Sequence, residues 1–171
     1  NVLWSNVIMI VFFKKVSLPT ITAERRNQIL SKLLLKKNST VSRYFKSLTS
    51  EEQLDQSICI AALERGISVF NYLPAIVRND REFVREAVKQ DGRALCYLSS
   101  SLKGDREIVM EAVKQNGWAF RYAEIALKGD RDVVMAVVKQ YGMALEFATA
   151  ALQADREVVM EAVKQAAWAF S

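Results

Sequence analysis

Four lysines have a spacing that could carry chemistry, because Lys89, Lys114, Lys139 and Lys164 follow one another at intervals of 25 residues. A regular row of ammonium groups can hold an extended acidic partner by charge. Most of these lysines also follow a glutamate by three residues near a predicted helix end, where a cation pairs within the helix and stabilises its dipole. We favour this structural interpretation of the lysine row.

The catalytic possibilities are narrow. The chain contains no histidine, which excludes histidine general bases, Ser-His-Asp and Cys-His nucleophile systems, and histidine metal ligation. Cys59 and Cys96 are too few for a zinc site and predict two small thiols in a reducing compartment, with a single disulfide still open. The recurring carboxylates have capping explanations, and no Gly-rich phosphate loop is present. We predict a protein that is not an enzyme and that holds no cofactor or metal.

The elements that carry these residues repeat every 25 positions. The phrase D-R-[ED]-[FIV]-V-x-x-[AV]-V-K-Q begins at Asp80, Asp105, Asp130 and Asp155. With that aspartate as position one, the copies are 80–104, 105–129, 130–154 and a clipped 155–171, preceded by a degenerate copy at 55–79 and a fainter one at 30–54. A fixed period without insertions is typical of stacked supersecondary units.

Each unit reads as two short helices. Aspartate is a favoured N-cap for the first, whose apolar positions four, five, eight and nine form one stripe. Glycine at position thirteen predicts a left-handed C-cap. A second helix is predicted over positions fourteen to twenty-three, with its apolar face at fifteen, sixteen, nineteen, twenty-two and twenty-three. The fold class is therefore all-α, an α-solenoid of four to five 25-residue two-helix repeats behind an N-terminal leader.

Two stretches carry a family resemblance. DREIVMEAVKQNGWAFRYAEIALKG and DRDVVMAVVKQYGMALEFATAALQA resemble a tandem helical repeat known as domain of unknown function 4116, found in protist proteins and in some bacterial host-directed effectors. The resemblance covers about 80–170 well and 55–79 loosely. It implies a helical repeat, and it implies neither a catalytic residue nor a ligand.

The leader, residues 1–54, differs in character from the repeat domain, residues 55–171. It has nine Lys/Arg against three Asp/Glu, whereas the repeats have fifteen against sixteen. Residues 2–13 are largely apolar and span only about 18 Å as a helix, too short to cross a bilayer. They could be the end of a longer transmembrane helix, an apolar strap along a partner, or a buried strand.

A basic amphipathic helix is predicted at 23–37, with Thr22 as its N-cap. Such a segment suits either an anchor on an anionic surface or the capping helix of a solenoid. The candidates for anchoring are Trp4, Phe12, Phe13, Lys14, Lys15, Arg25, Arg26, Lys32 and Lys36.

Positions fourteen and eighteen form a second, more variable stripe beside the core face. Aromatic and methionine side chains there favour a partner surface, and packing between successive repeats is the alternative. The candidates are Arg93, Tyr97, Trp118, Tyr122, Met143, Phe147 and Trp168, together with Phe170. Methionines at position six are interpreted as filling gaps between helices.

These features predict a non-catalytic protein–protein interaction scaffold or accessory subunit. Its partners would be other protein subunits, with membrane contact through residues 1–37, and its location intracellular, organellar and peripheral to a membrane. The chain starts without methionine and its last copy is clipped, which suggests a part of a larger chain or assembly. The alternatives are the host-recognition module of a secreted bacterial effector and a nucleic-acid-binding helical repeat. Near-neutral repeats argue against nucleic acid.

Overall fold

The structure, a computed structural model, describes residues 21–168, and helices are the only regular elements in that range. The α-helices are α1 (Ala23–Leu35), α2 (Asn38–Lys46), α3 (Ser50–Leu54), α4 (Gln56–Arg65), α5 (Ala75–Arg78), α6 (Arg81–Gln90), α7 (Ser100–Lys103), α8 (Arg106–Gln115), α9 (Ile125–Lys128), α10 (Arg131–Gln140), α11 (Ala150–Gln153) and α12 (Arg156–Trp168). The 3-10 helices among them are Ile67–Tyr72, Gly92–Tyr97, Gly117–Tyr122 and Gly142–Phe147. The predicted all-α fold is confirmed.

The long helix of each copy begins as the sequence predicts. The position-one aspartate lies just outside the helix, and its Oδ1 accepts a hydrogen bond from the backbone N–H of position four. The distance is 2.8 Å between Asp80 and Phe83 and 3.2 Å between Asp105 and Ile108. This satisfies a donor that the first turn leaves without an intrahelical partner. Positions four, five, eight and nine are buried in all three complete copies, so the predicted apolar stripe is confirmed.

The second half of each copy is broken, and the single helix predicted there is wrong. In the copy 80–104, positions thirteen to eighteen form a 3-10 helix, nineteen and twenty are extended, and a single α-turn occupies twenty-one to twenty-four. The break leaves the N–H of position twenty available to the preceding copy. Glu124 donates to the carbonyl of Lys103, and Thr149 to that of Lys128, both at 3.0 Å. Hydrogen bonds between copies thus replace intrahelical ones.

The break also changes which residues are buried. Position twenty-two, predicted in the buried face, is exposed in the three complete copies, where it is Ser101, Ala126 or Ala151. Position twenty-three, predicted in the same face, is buried, as in Leu102 and Leu127. The short α-turn begins anew after the extended residues, so its apolar side does not continue the phase of the 3-10 helix.

Glycine at position thirteen serves close approach between copies. The sequence predicts a left-handed C-cap there, yet no residue of the described range has a left-handed backbone. The long helix instead ends at an extended residue, such as Asp91 with φ −145° and ψ 106°. A Cβ on Gly92 would lie 2.3 Å from the carbonyl oxygen of Ala112, and one on Gly142 would lie 2.4 Å from that of Ala162. The left-handed prediction is therefore wrong.

Successive copies stack in two layers. The long helices form one layer, in which α6 packs against α8 and α10 against α12, and the 3-10 helices contact one another in a second row. One hydrophobic cluster runs through the stack from Ile29 to Ala162. Because each stripe is buried against neighbouring copies, the copies form a solenoid.

The segment before Asp55 packs onto the first copy. α1 begins after Thr22, whose Oγ1 accepts from the N–H of Arg25 at 3.2 Å, and it packs against α4. Leu33 and Phe45 are buried, but Leu34 is 66% exposed although the faint copy at 30–54 predicts it in the stripe. The 25-residue register fails here because α1 begins well before residue 30.

Candidate functional site

The predicted partner stripe contains an exposed part. Trp118, Tyr122 and Met143 expose 42%, 37% and 55% of their surface. The large apolar groups of these three side chains remain in contact with water, and a partner that covers them gains free energy. Three of the predicted residues, in two successive copies, are thus exposed.

Trp118 connects these copies through aromatic contacts. Its ring centroid lies 5.4 Å from that of Phe147 and 6.2 Å from that of Tyr141, with planes inclined by 59° and 57°. Tilted pairs at such distances are favourable. The hydroxyl of Tyr141 also donates to the sulfur of Met143 at 3.9 Å. We refer to Trp118, Tyr141, Met143 and Phe147 as the aromatic cluster.

Tyr141 is a member of this cluster that the sequence reasoning missed. It occupies position twelve, where Asp91 and Asn116 each accept a hydrogen bond from the backbone N–H of position fourteen. Tyrosine has no such acceptor, and its ring lies against Gly117, where a Cβ would come within 2.1 Å of its Cγ. The sequence contained a signal for this role, because Tyr141 is the one aromatic residue at position twelve among the three complete copies, and the other two have a capping side chain there.

The stripe in the preceding copy serves the fold. Tyr97 is half-buried and stacks on Phe70, with centroids 5.8 Å apart and planes inclined by 18°. The guanidinium of Arg93 pairs with Asp91 at 2.7 Å. Burial opposes the charge of Asp91, but the hydrogen bonds from Arg93 outweigh it and lower the pKa of the carboxyl. Here the alternative of packing between copies describes Tyr97 better.

The remaining members of the predicted partner set are at the chain's end. Trp168 is the last residue of α12. Phe170 lies outside the described residues.

Two of the anchor candidates, Arg25 and Arg26, form ion pairs with carboxylates of the same chain. Arg25 Nε donates to Glu52 at 2.7 Å, and Arg26 Nε donates to Asp55 at the same distance. Glu52 is only 5% exposed. Burial alone would raise the pKa of Glu52, but the N–H of Thr49 and the Arg25 guanidinium together lower it. Arg25 thus links α1 to α3, and Arg26 links α1 to the N-cap of the first copy.

Of the other anchor candidates, two lie in α1 and its C-terminal end, and the rest lie outside the described residues. Lys32 is exposed, and the ammonium of Lys36 lies 4.7 Å from the ring centroid of Tyr44. None of the helices within 21–168 is long and apolar enough to span a bilayer. The candidates outside the described residues are Trp4, Phe12, Phe13, Lys14 and Lys15.

The lysine row has the predicted local partners. The ammonium-to-carboxylate distances are 3.4 Å for Lys89–Glu86, 3.4 Å for Lys114–Glu111 and 4.0 Å for Lys164–Glu161. In the copy of Lys139 the glutamate is replaced by Ala136, so this pair is absent there. Pairing within the helix explains three of the four lysines.

Arginine at position two has a role that the sequence reasoning missed. Arg81 donates to Asp105 at 2.8 Å and to Glu107 at 2.7 Å, both in the next copy. The hydrogen bond from Arg81 is the main reason that the pKa of Asp105 lies below its usual range. Arg131 makes the equivalent contacts in its own next copy. The repeated D-R pair was the signal, because the arginines of these two copies hold the N-cap aspartate of the following helix.

The two cysteines are separate thiols, and no disulfide joins them. Cys59 is buried, and its Sγ donates to the carbonyl of Gln53 at 3.1 Å. Burial strongly raises the pKa of the Cys59 thiol. Cys96 is half-buried. Within the described range, no group of three or more acidic or cysteine side chains is placed to hold a metal ion.

These features define the class of protein as an all-α helical repeat that presents an aromatic cluster across two copies. The chain belongs to the family named domain of unknown function DUF4116, whose model matches residues 55–103, 80–128 and 130–171. The predicted family resemblance is thereby confirmed. No curated protein and no solved structure matches the chain.

Proposed function

We propose that this chain is a non-catalytic protein–protein interaction scaffold or accessory subunit of a larger assembly. The observation that carries the proposal is the aromatic cluster. Trp118 is 42% exposed and Met143 is 55% exposed, yet both adjoin residues held in place by the fold. Tryptophan, tyrosine and methionine are enriched in the buried centres of protein interfaces.

The cluster is preorganised, which favours binding. Phe147 packs against the hydrophobic core, and Tyr141 is held against Gly117. Trp118 contacts both rings, so little side-chain freedom remains to be lost when a partner covers it. The cluster also spans two copies, so it presents a wider surface than a single helix would.

Charge supports a protein partner over a nucleic acid. The lysines at 89, 114 and 164 each face a carboxylate on their own helix. Binding to phosphate backbones needs a net positive field. Residues 55–171 carry fifteen Lys/Arg against sixteen Asp/Glu, so the repeats offer little such field.

The proposal extends to a membrane-associated or organellar assembly, with residues 1–37 in contact with the membrane or a membrane protein. Support comes from the end of α1, where Leu34 and Leu35 are 66% and 87% exposed and Lys32 is exposed nearby. Apolar side chains with adjacent cations suit an anionic interface. Arg25 and Arg26 contribute less to this contact because they pair with Glu52 and Asp55.

Site-specific photocrosslinking in cells that produce the protein tests the scaffold proposal. A benzophenone side chain at position 143 should form a covalent adduct with one protein species, and the adduct should disappear when Trp118→Ala is added. The same probe at position 139, an exposed lysine of the same copy, is the matched control. Equal adducts at both positions, adducts with nucleic acid, or none at position 143 would refute the proposal.

A further inference from the structure

An open groove of about 320 Å³ lies between α6 and α8. Its lining residues are Arg85, Arg106, Glu107, Met110, Glu111 and Lys114. All but Arg85 belong to α8, so the groove follows the seam between two stacked copies. Arg85 and Arg106 are exposed to solvent, and Met110 is half-buried and packs against the core.

The charges of the groove are unevenly compensated. Glu107 is held by Arg81 at 2.7 Å, and Glu111 by Lys114 at 3.4 Å. Arg85 and Arg106 form no ion pair with any residue of the described range. Two guanidinium groups thus face one groove whose carboxylates are already engaged, and an anion between them would relieve their repulsion.

Each of these arginines marks a departure from the repeat. Arg85 stands at position six, where the later copies have methionine. Arg106 stands at position two, where Arg81 and Arg131 each reach position three of the next copy. For Arg106 the corresponding residues are Asp130 and Asp132, and among the described residues it forms an ion pair with neither. Both exceptions therefore leave a cation at the same seam.

We propose that this groove binds the carboxylate side chain of an acidic segment in the partner protein. The inference rests on the proposed scaffold function, which supplies a protein partner. Guanidinium groups recognise carboxylates through paired, charge-assisted hydrogen bonds. Met110 provides an apolar floor for the methylenes of a glutamate. Because the site is open to solvent, the affinity for a single acidic segment is weak, with a Kd of about 1 mM at low salt.

The chain contains a nearly identical seam that serves as an internal control. The copies 130–154 and 155–171 bring the same residue types together, and Arg131 holds Glu157 as Arg81 holds Glu107. The residues that correspond to the α8 lining are Arg156, Glu157, Met160, Glu161 and Lys164. Met135 occupies the place of Arg85, so the two seams differ in the second guanidinium.

The test is titration of the intact chain, labelled at its methionine methyl groups, with an acetylated hexaglutamate peptide. We expect the methyl signal of Met110 to shift, with much smaller shifts at Met160. Arg85→Met, which installs the residue of the other copies, should weaken binding at this seam about tenfold. Met135→Arg should create a second responsive site at Met160. Lys139→Met removes the same charge at an exposed residue that does not line the groove, and it should change the Kd less than twofold.

Three results would overturn the inference: equal responses of Met110 and Met160 in the unchanged protein, an unaltered Kd in Arg85→Met, or tighter binding of a single-stranded oligonucleotide of equal charge. The measurement is independent of the crosslinking experiment at position 143. If the peptide fails to bind while that adduct forms, only the groove is refuted. If the peptide binds at Met110 and no protein adduct forms, the groove binds carboxylates but the proposed scaffold function is refuted.

Discussion

Gly92 and Ala112 belong to successive copies and touch so closely that no side chain fits between them. A Cβ on Gly92 would lie 2.3 Å from the carbonyl oxygen of Ala112. Gly92 begins a 3-10 helix and Ala112 lies within the next long helix, so this contact joins the two layers of the solenoid. The absence of a side chain at position thirteen therefore sets the distance between copies.

Gly92→Ala should destabilise the protein strongly. The added methyl group meets backbone, which cannot rotate away as a flexible side chain can, so neighbouring copies must move apart. Overpacking of this kind costs about 1–3 kcal/mol of unfolding free energy. Equilibrium urea unfolding measures the loss.

Gly104→Ala is the matched control for Gly92→Ala. A Cβ on Gly104 would lie 3.5 Å from the carbonyl oxygen of Ser100, and the residue has φ −92°, which alanine adopts readily. Alanine at such a site restricts the unfolded chain and changes stability by up to about 1 kcal/mol in the favourable direction. Equal destabilisation by the two substitutions would contradict the close-approach role of Gly92.

Position nine provides a second comparison. Val138 is 0% exposed between stacked copies, whereas Val163 at the same repeat position is 57% exposed. Val138→Ala should cost about 1.5–3 kcal/mol, because it removes buried methyl groups and leaves a cavity. Val163→Ala should change the unfolding free energy by less than about 0.5 kcal/mol. Similar costs for both would mean that burial between copies does not stabilise this chain.

Arg81 should make stability depend on pH. It lowers the pKa of Asp105 in the folded chain, whereas the unfolded carboxyl titrates near 3.9. A carboxyl with a lowered folded pKa stabilises the fold above its unfolded value, and this stabilisation disappears as pH falls through the folded pKa. Arg81→Met should therefore lower the free energy of unfolding at pH 7 and lower it much less near pH 2, as urea unfolding at the two pH values would measure.

Arg106→Met is the control for this pH effect, since Arg106 has no carboxylate partner among residues 21–168. Its unfolding free energy should differ from the unchanged protein by the same amount at both pH values. A pH-independent cost of Arg81→Met would show that the contacts of its side-chain stem matter more than its ion pairs.

The sequence predicted the long helix of each copy because three independent signals agree there. Asp80 caps the helix, the stripe that includes Phe83 and Val84 is buried, and Lys89 lies at the end. The prediction of a single helix in the second half of each copy failed because the apolar spacing there also fits a continuous helix. The hydrogen bonds that interrupt the helix are made with another copy, and a pattern within one copy does not contain them. Pro74 at position twenty was a local sign of the break, since the residue before a proline favours extended backbone.

The candidate site was partly predictable. Trp118 and Met143 stand out because they vary within an otherwise regular phrase, and both are exposed. The same argument selected Tyr97, which instead stacks on Phe70. Sequence spacing places these residues on one stripe but does not say whether a neighbouring copy covers them. That depends on the size of side chains one copy away, which a pattern within one helix does not contain.

The two thiols should differ in reactivity because the fold protects them unequally. Cys96 is half-buried and Cys59 is fully buried, and burial is the main cause that raises the pKa of each thiol. Since the thiolate is the nucleophile, Cys96 should react with a disulfide reagent at pH 8 more slowly than a small free thiol, and faster as the pH rises.

Cys59 should react only when the fold opens, so its rate should increase with urea in parallel with unfolding. Cys96→Ser should remove the faster phase and leave the slower one unchanged, which assigns each phase to its residue. Rapid modification of Cys59 in the native protein would mean that the contact of α4 with its neighbours opens readily. The packing of the first copy would then be too loose to support the stack that follows it.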